Sequence, residues 1–310
     1  MGSKIILRNR IGRDSAFGIV YYSYIRDSKI KKLYKFAVKI AANTYDNNVE
    51  NNILKQLTES VIKNECPHFP ILYKTLYCNA STFKPNKKDY SSESTSGSLD
   101  TFKTTKALLP KIVKNALTKK INLIMFINEL ANGDFVAFAQ KYNKEDKLII
   151  NAIIQIILSL LFYYKVAKSF HKDAHAGNFL FHKIKAGGYF HYRINKTDFY
   201  LENLGFLWVI WDFGASMPFI QCSTTNINVD INNILEKISI ITIKKDSRLS
   251  HYVNSQKSLI HNFIHKSSIK LKDANFKVFI NNLVEFLIEN EFLLTKKPSN
   301  IINSKPYEII

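Results

Sequence analysis

Apolar residues in the first third of the chain come in short runs with β-type alternation. IILRNRIGRDSAFGIVYYSYI, from Ile5 to Ile25, reads as two β-rich runs around a turn that contains Gly12 and Gly18. LYKFAVKI, from Leu33 to Ile40, reads as the next strand. The period then changes. In ENNILKQL, Glu50 heads a helix whose Ile53, Leu54 and Leu57 fall on one apolar face. NECPHFPILYKTLYC, Asn64 to Cys78, predicts a Pro-bounded loop and a strand, and INLIMFINEL, Ile121 to Leu130, a further strand. Leu148 to Ser169 is apolar on most faces, as a buried helix would be, but carries Asn151, Gln155 and Ser159 as a stripe at four-residue spacing. Two or three amphipathic helices are expected between Ile240 and Ile310. Phe276 to Leu294 is the clearest, with Phe279, Leu283, Phe286 and Leu287 on one face. Strands with one helix, followed by helices, define an α+β chain.

Composition changes this picture in one place. Asn79 to Lys106 is rich in Ser, Thr, Lys and Asn, with SSESTSGS at its centre, and reads as a flexible insert between two strands. A short helix is expected over Ala107 to Leu117. Elsewhere 46% hydrophobic and 13% aromatic residues are those of a globular protein. A net charge of +19 favours anionic partners. The excess is mostly Lys among many Asn, Ile, Tyr and Phe residues, the set an A/T-rich coding sequence produces, so a solvated basic surface explains it as well. Cys66, Cys78 and Cys222 are odd in number, lack metal-ligand spacing and imply reduced intracellular thiols. The N-terminus shows no signal-peptide core, and Ile6 stands where a myristoylation signal wants Ser or Thr. The expectation is a soluble, intracellular chain without a membrane span, the 148–169 helix being buried.

The candidate chemistry lies at the ends of apolar runs. FHKDAHAGNFLF places Asp173 and, five residues on, Asn178; LWVIWDFGAS places Asp212 before Phe213 and Gly214. Oxygen ligands of this kind suit a hard cation such as Mg2+, and a lone carboxylate suits proton transfer from a hydroxyl. The same residues also cap ordinary turns.

Taken in order, Lys39 in AVKI, Glu50 on the next helix, His171-x-Asp173 with Asn178, and Asp212-Phe213-Gly214 resemble the catalytic elements of the protein-kinase superfamily. The resemblance covers about residues 5 to 235. It implies a bilobal protein-kinase-like fold: a small antiparallel β-sheet lobe with one main helix over 1–130, and a mainly helical lobe over 131–310. It also implies roles. Lys39, paired with Glu50, would hold ATP phosphates; Asp173 would orient and deprotonate the acceptor hydroxyl; Asn178 and Asp212 would bind Mg2+. Gly12, Gly18 and Val20 are similar to the glycine-rich loop over the phosphates, though the spacing is one residue long and Asp14 and Ser15 stand near its middle glycine; an ordinary hairpin turn fits equally. Glu129 would begin the segment that holds adenine and Asp134 would reach ribose, while Asn132-Gly133-Asp134 is also a plain turn signal. Asp230 resembles the acidic residue that supports the catalytic loop.

Within the superfamily the likeness is uneven. Kinases acting on protein Ser or Thr usually carry Lys two residues after the catalytic Asp, whereas here His175 stands there. Asp-Ala-His-Ala-Gly-Asn looks more like aminoglycoside and choline kinases. The stretch from Gly177 to Gly214 is most similar to divergent kinase-like proteins of large nucleocytoplasmic DNA viruses, with a β-hairpin insert at about 183–207 turning near Gly187-Gly188. No Ala-Pro-Glu segment follows Gly214. Three readings result: an ATP/Mg-dependent protein Ser/Thr kinase of viral type, in host cytoplasm or virion; a small-molecule kinase acting on a hydroxyl; or an inactive kinase-like binding module. Weak, non-specific nucleic-acid binding would be additional to any of these. Such binding should fall steeply with salt and show no sequence preference. Absence of binding to a mixed-sequence duplex at low salt would dispose of it.

Overall fold

The structure is a computed structural model that describes residues 6–11, 18–27, 32–79, 115–116, 118–142, 145–221, 230, 281, 284–285, 287–289 and 291–309. The loop at Gly12, most of the Ser-rich insert and of the 107–117 helix, Cys222 and the expected helices between 240 and 280 lie outside these residues. Two compact units are present: one comprises Met1–Thr58, Pro70–Gly133 and Asp212–Gly214, the other Glu59–Phe69, Asp134–Trp211 and Ala215–Ile310.

The first unit is built on a five-stranded antiparallel sheet of β1 (Ile6–Ile11), β2 (Gly18–Asp27), β3 (Lys32–Ala42), β4 (Leu72–Cys78) and β5 (Leu123–Asn128), in the order β1-β2-β3-β5-β4. Helix α1 (Tyr45–Ile62) follows β3. It begins a turn earlier than the apolar face alone suggests, because Thr44 caps it and Asn47 donates to the Ala42 carbonyl at 2.8 Å. Alternation along β3 decides the two faces of the sheet. Val38, Ile40 and Ala42 join Ile19, Tyr21, Leu123 and Ile127 in one apolar cluster, which puts Ala37, Lys39 and Ala41 on the opposite face. Gly18 has a packing reason for its identity: a Cβ there would lie 2.8 Å from the Ile40 carbonyl oxygen across the β2–β3 pair.

The second unit contains the short strand β6 (Gly133–Asp134, its first residue in the other unit), α2 (Phe135–Lys141), α3 (Asp146–Ala167) and β7 (Ser169–Phe170). A 3-10 turn at Ala176–Asn178 leads into β8 (Phe179–Lys183), β9 (Tyr189–Ile194), β10 (Thr197–Glu202) and β11 (Phe206–Ile210), and β12 (Met217–Pro218) and β13 (Tyr307–Glu308) complete it. Sheet therefore accompanies helix throughout the described residues of a half expected to be mainly helical. The cause is the alternation of aromatic and polar residues in YFHYRI and TDFYLE, which pair as an antiparallel hairpin.

That hairpin does not turn at Gly187-Gly188. Its two-residue loop is Asn195-Lys196, with φ of 48° and 68°, the conformation a tight hairpin needs. Gly188 serves a different purpose. At φ 74° a Cβ would meet the Asn300 carbonyl oxygen at 2.9 Å, so glycine lets the C-terminal segment lie against the start of β9. In place of a helix, that segment ends in β13, which runs parallel to β9.

The polar stripe on α3 fastens the strands to the helix. Asn151 Nδ2 donates to the Glu202 carbonyl at 2.8 Å, Gln155 Nε2 to that of Phe206 at 3.1 Å, and Trp208 N–H donates to Gln155 Oε1 at 3.1 Å. These are backbone groups of strand ends that would otherwise be buried unpaired. Lys147–Ala167 is long and apolar enough to cross a membrane, and 78% of its 18-residue apolar window is buried inside the protein.

His68 holds the hairpin from the other side. Its ring lies 2.8 Å from the Trp208 carbonyl through Nδ1 and 2.7 Å from the Tyr192 hydroxyl through Nε2. A carbonyl only accepts, so Nδ1 carries the hydrogen and Nε2 accepts from Tyr192. Burial pushes the His68 imidazole down from 6.5 to about 4, against the opposing effect of the Trp208 bond. Between those two values the unfolded chain binds a proton that the folded chain does not, so stability falls as pH falls through this window, by on the order of 3 kcal/mol in all. Urea denaturation at pH 7.5 and 4.5 should show this loss, and His68→Gln should reduce it while lowering stability at neutral pH. An unchanged pH difference in the variant would mean another group titrates.

Candidate active site

In the first unit, Lys39 and Glu50 meet as β3 and α1 require. Lys39 Nζ donates to Glu50 Oε1 at 2.7 Å and Oε2 at 2.9 Å, and to Asp212 Oδ1 at 2.8 Å. The side chains of Lys39, Glu50 and Asp212 are 2%, 1% and 15% exposed. Glu50 shares its helix face with Asn47, Leu54 and Leu57, all buried. With every group ionised the triad carries one net negative charge. Burial alone would lower the Lys39 pKa, but the Asp212 and Glu50 carboxylates outweigh it and the net shift is upward. Burial pushes the Glu50 carboxyl up to about 7, against the pull of Lys39. Lys39 stays charged, since it has two carboxylates within 2.9 Å. Taking such charges out of water costs several kcal/mol per ion, and packing of ordinary apolar residues would be at least as stable. Buried clusters of titratable groups of this kind are concentrated at functional sites.

In the second unit, the loop after β7 is fixed through backbone atoms. Asp230, fully buried, accepts from His171 N–H and Lys172 N–H, each at 2.8 Å, and from the Tyr164 hydroxyl at 3.0 Å. Lys172 has φ 64° and Asp212 φ 62°, a left-handed conformation that costs a non-glycine residue on the order of 1 kcal/mol or more. His171 accepts the Asp173 N–H on Nδ1 at 3.3 Å, so its Nε2 donates to the Trp211 carbonyl at 3.0 Å. Trp211 N–H in turn donates to the Asn178 carbonyl at 2.8 Å. The residue before Asp212 is thus tied to both ends of the Asp173–Asn178 loop.

Asn178 reaches back to Asp173, its Nδ2 donating to the carbonyl at 2.9 Å and to Oδ2 at 3.2 Å. With the amide nitrogen committed there, the amide oxygen is the face that remains for a cation. The Asn178 amide oxygen in the second unit and the Asp212 carboxylate in the first are each of the oxygen-donor type that Mg2+ takes. Among the described residues no cluster of three or more His, Cys, Asp or Glu could hold a metal.

The other expected nucleotide-side residues fall in different places. Glu129 lines a cavity of about 330 Å³ with Tyr22, Lys35, Tyr73, Leu130, Ala131 and Asn132. Asp134 caps α2, its Oδ1 accepting the Ala137 N–H at 2.8 Å, a task that accounts for its type without a ligand. Val20 sits on β2 opposite Lys39. Gly12 is outside the described residues. The His68 clasp was missed in the sequence, where nothing marks a loop histidine as the partner of strands more than a hundred residues away.

No protein-family model matches the sequence, and no curated protein matches it. Among solved structures the chain is similar to a BubR1 kinase domain, with a TM-score of 0.43 and 14% identity, covering 77% of this chain; it spans about three-fifths of that one, 61%. A likeness that slight decides nothing, and the reading below rests on the residues.

The triad can be tested without any ligand. Lys39→Met leaves two carboxylates facing each other in a buried place and should cost about 3 kcal/mol or more at pH 8. Lowering the pH lets Glu50 take up a proton, so part of the loss should return by pH 6, and Lys39→Met with Glu50→Gln should recover part of it at pH 8. Urea denaturation measures all three. A loss independent of pH and of Glu50 would place the cost elsewhere.

Proposed function

We propose that the chain is a phosphotransferase of kinase type, taking ATP with Mg2+ and passing the terminal phosphoryl group to a hydroxyl. The observation that carries this reading is the buried Lys39–Glu50–Asp212 triad, in which a glutamate fixes a lysine beside a carboxylate that can bind a metal. The Asp173–Asn178 loop supports it, because it offers a carboxylate that is about one-third exposed and held by its neighbours.

In this reading Lys39 binds phosphate oxygens and Glu50 keeps its ammonium in place. Bound Mg2+, held by Asn178 and Asp212, would neutralise the charge on the phosphates. The acceptor hydroxyl oxygen forms the new P–O bond, the bond to the β-phosphate bridge oxygen breaks, and the hydroxyl proton goes to Asp173. Glu129 and its neighbouring cavity residues are the candidates for the base side of the nucleotide, with Gly12, Gly18 and Val20 near the phosphates. The acceptor we favour is Ser or Thr of a protein, in a divergent enzyme of viral type acting inside the host cell. His175, standing where protein kinases carry Lys, favours a small-molecule hydroxyl as the second reading.

Incubation with γ-labelled ATP and Mg2+, against casein, basic proteins and a panel of aminoglycosides and choline, should give label transfer to one class. Asp173→Ala should reduce it by about 100-fold or more while nucleotide binding persists. Retained turnover in that variant would remove Asp173 from the role.

A further inference from the structure

Two histidines of the loop are built in the same way. His171 and His175 each accept, on Nδ1, the backbone N–H of the residue two places ahead: Asp173 at 3.3 Å and Gly177 at 3.0 Å. An Nδ1 that accepts carries no hydrogen, so in both rings the hydrogen is on Nε2. For His171 that N–H is spent on the Trp211 carbonyl. For His175 it faces Asp173, with Nε2 3.6 Å from Oδ2. That is slightly beyond hydrogen-bond length, as contacts in ligand-free active sites often are.

Asn178 Nδ2 approaches the same oxygen, Oδ2, at 3.2 Å. Asn178 thus donates to the oxygen of Asp173 that His175 Nε2 faces, and the loop backbone supports both residues: His175 N–H donates to the Asp173 carbonyl at 2.9 Å and Asn178 N–H to the His175 carbonyl at 2.8 Å. His175 is about one-third exposed.

We propose that His175 is a positioning residue for Asp173: the Gly177 amide locks its tautomer, and its Nε2–H, with Asn178, holds Oδ2 so that Oδ1 is the oxygen presented to the acceptor hydroxyl. The catalytic part of this rests on the phosphotransfer reading; the locked dyad does not. His175 thereby orients the carboxylate through a neutral N–H donor.

Two substitutions separate the two ends of the ring. His175→Asn keeps an acceptor where Nδ1 is, and with it the Gly177 bond, but has nothing that reaches Asp173. His175→Gln keeps an N–H at the distance of Nε2. In the labelled-ATP assay, His175→Asn should lower kcat about tenfold or more with KM for ATP and Tm nearly unchanged, and His175→Gln should restore much of the loss. Equal kcat in wild type and His175→Asn would overturn the positioning role. Side-chain nitrogen NMR of the histidines reads the dyad without turnover. It should show His175 as the Nε2–H tautomer, with an Nε2 resonance that moves in Asp173→Ala. An Nδ1–H tautomer, or no response to Asp173→Ala, would overturn the proposal even in an active protein. Absence of transfer by wild type in the presence of the expected NMR signature would instead defeat the phosphotransfer reading and the catalytic role together, leaving the dyad as structure.

Discussion

A single ammonium group shared by two carboxylates is the constraint on which the rest depends. Lys39 is 2% exposed and cannot be hydrated, so its charge is stable only if Glu50 and Asp212 are both brought to it. Each requirement fixes a piece of the fold. The register of β3 puts Lys39 on the face opposite the apolar cluster, the cap at Thr44 sets the rotation of α1 so that Glu50 faces inward, and the left-handed turn at Asp212 ends the strand run that begins at Phe206. Apolar residues of matching volume would satisfy the same space at no greater cost. That a lysine and two carboxyl groups stand there instead is the reason to look for a charged ligand.

The loop in the second unit obeys a complementary rule. Its side chains are ordered chiefly by backbone groups: Asp230 collects two amides, His171 and His175 each cap one, and Asn178 returns to Asp173. Such an arrangement fixes orientation with few buried charges, and it leaves the Asp173 carboxylate about one-third exposed. The two sets of residues are joined directly by the peptide bond between Trp211 and Asp212.

Much of this could be read in the sequence where the determinant is local. AVKI announces its own alternation, ENNILKQL its helical face, and the stripe of Asn151, Gln155 and Ser159 its need for polar partners. Determinants set by distant residues were not legible. Asp212 reaches Lys39 across 173 positions. The hairpin was expected to turn at two glycines, but the turn falls at Asn195-Lys196, because Gly188 is required instead for the approach of Asn300. Asp134 caps α2, which its sequence context, an Asp before an apolar helical run, allows as readily as a ligand role. The tautomers of His171 and His175 depend on which amide each Nδ1 meets, and only coordinates show that.

The central claim is that the triad is a nucleotide and metal site. The most direct measurement is the melting temperature with ATP alone and with ATP plus Mg2+, in wild type and in Asp212→Asn. The account predicts a rise with ATP that Mg2+ enlarges in wild type, and loss of the Mg2+-dependent part in Asp212→Asn with some of the ATP effect retained through Lys39. Equal Mg2+-dependent stabilisation of the two proteins would contradict it.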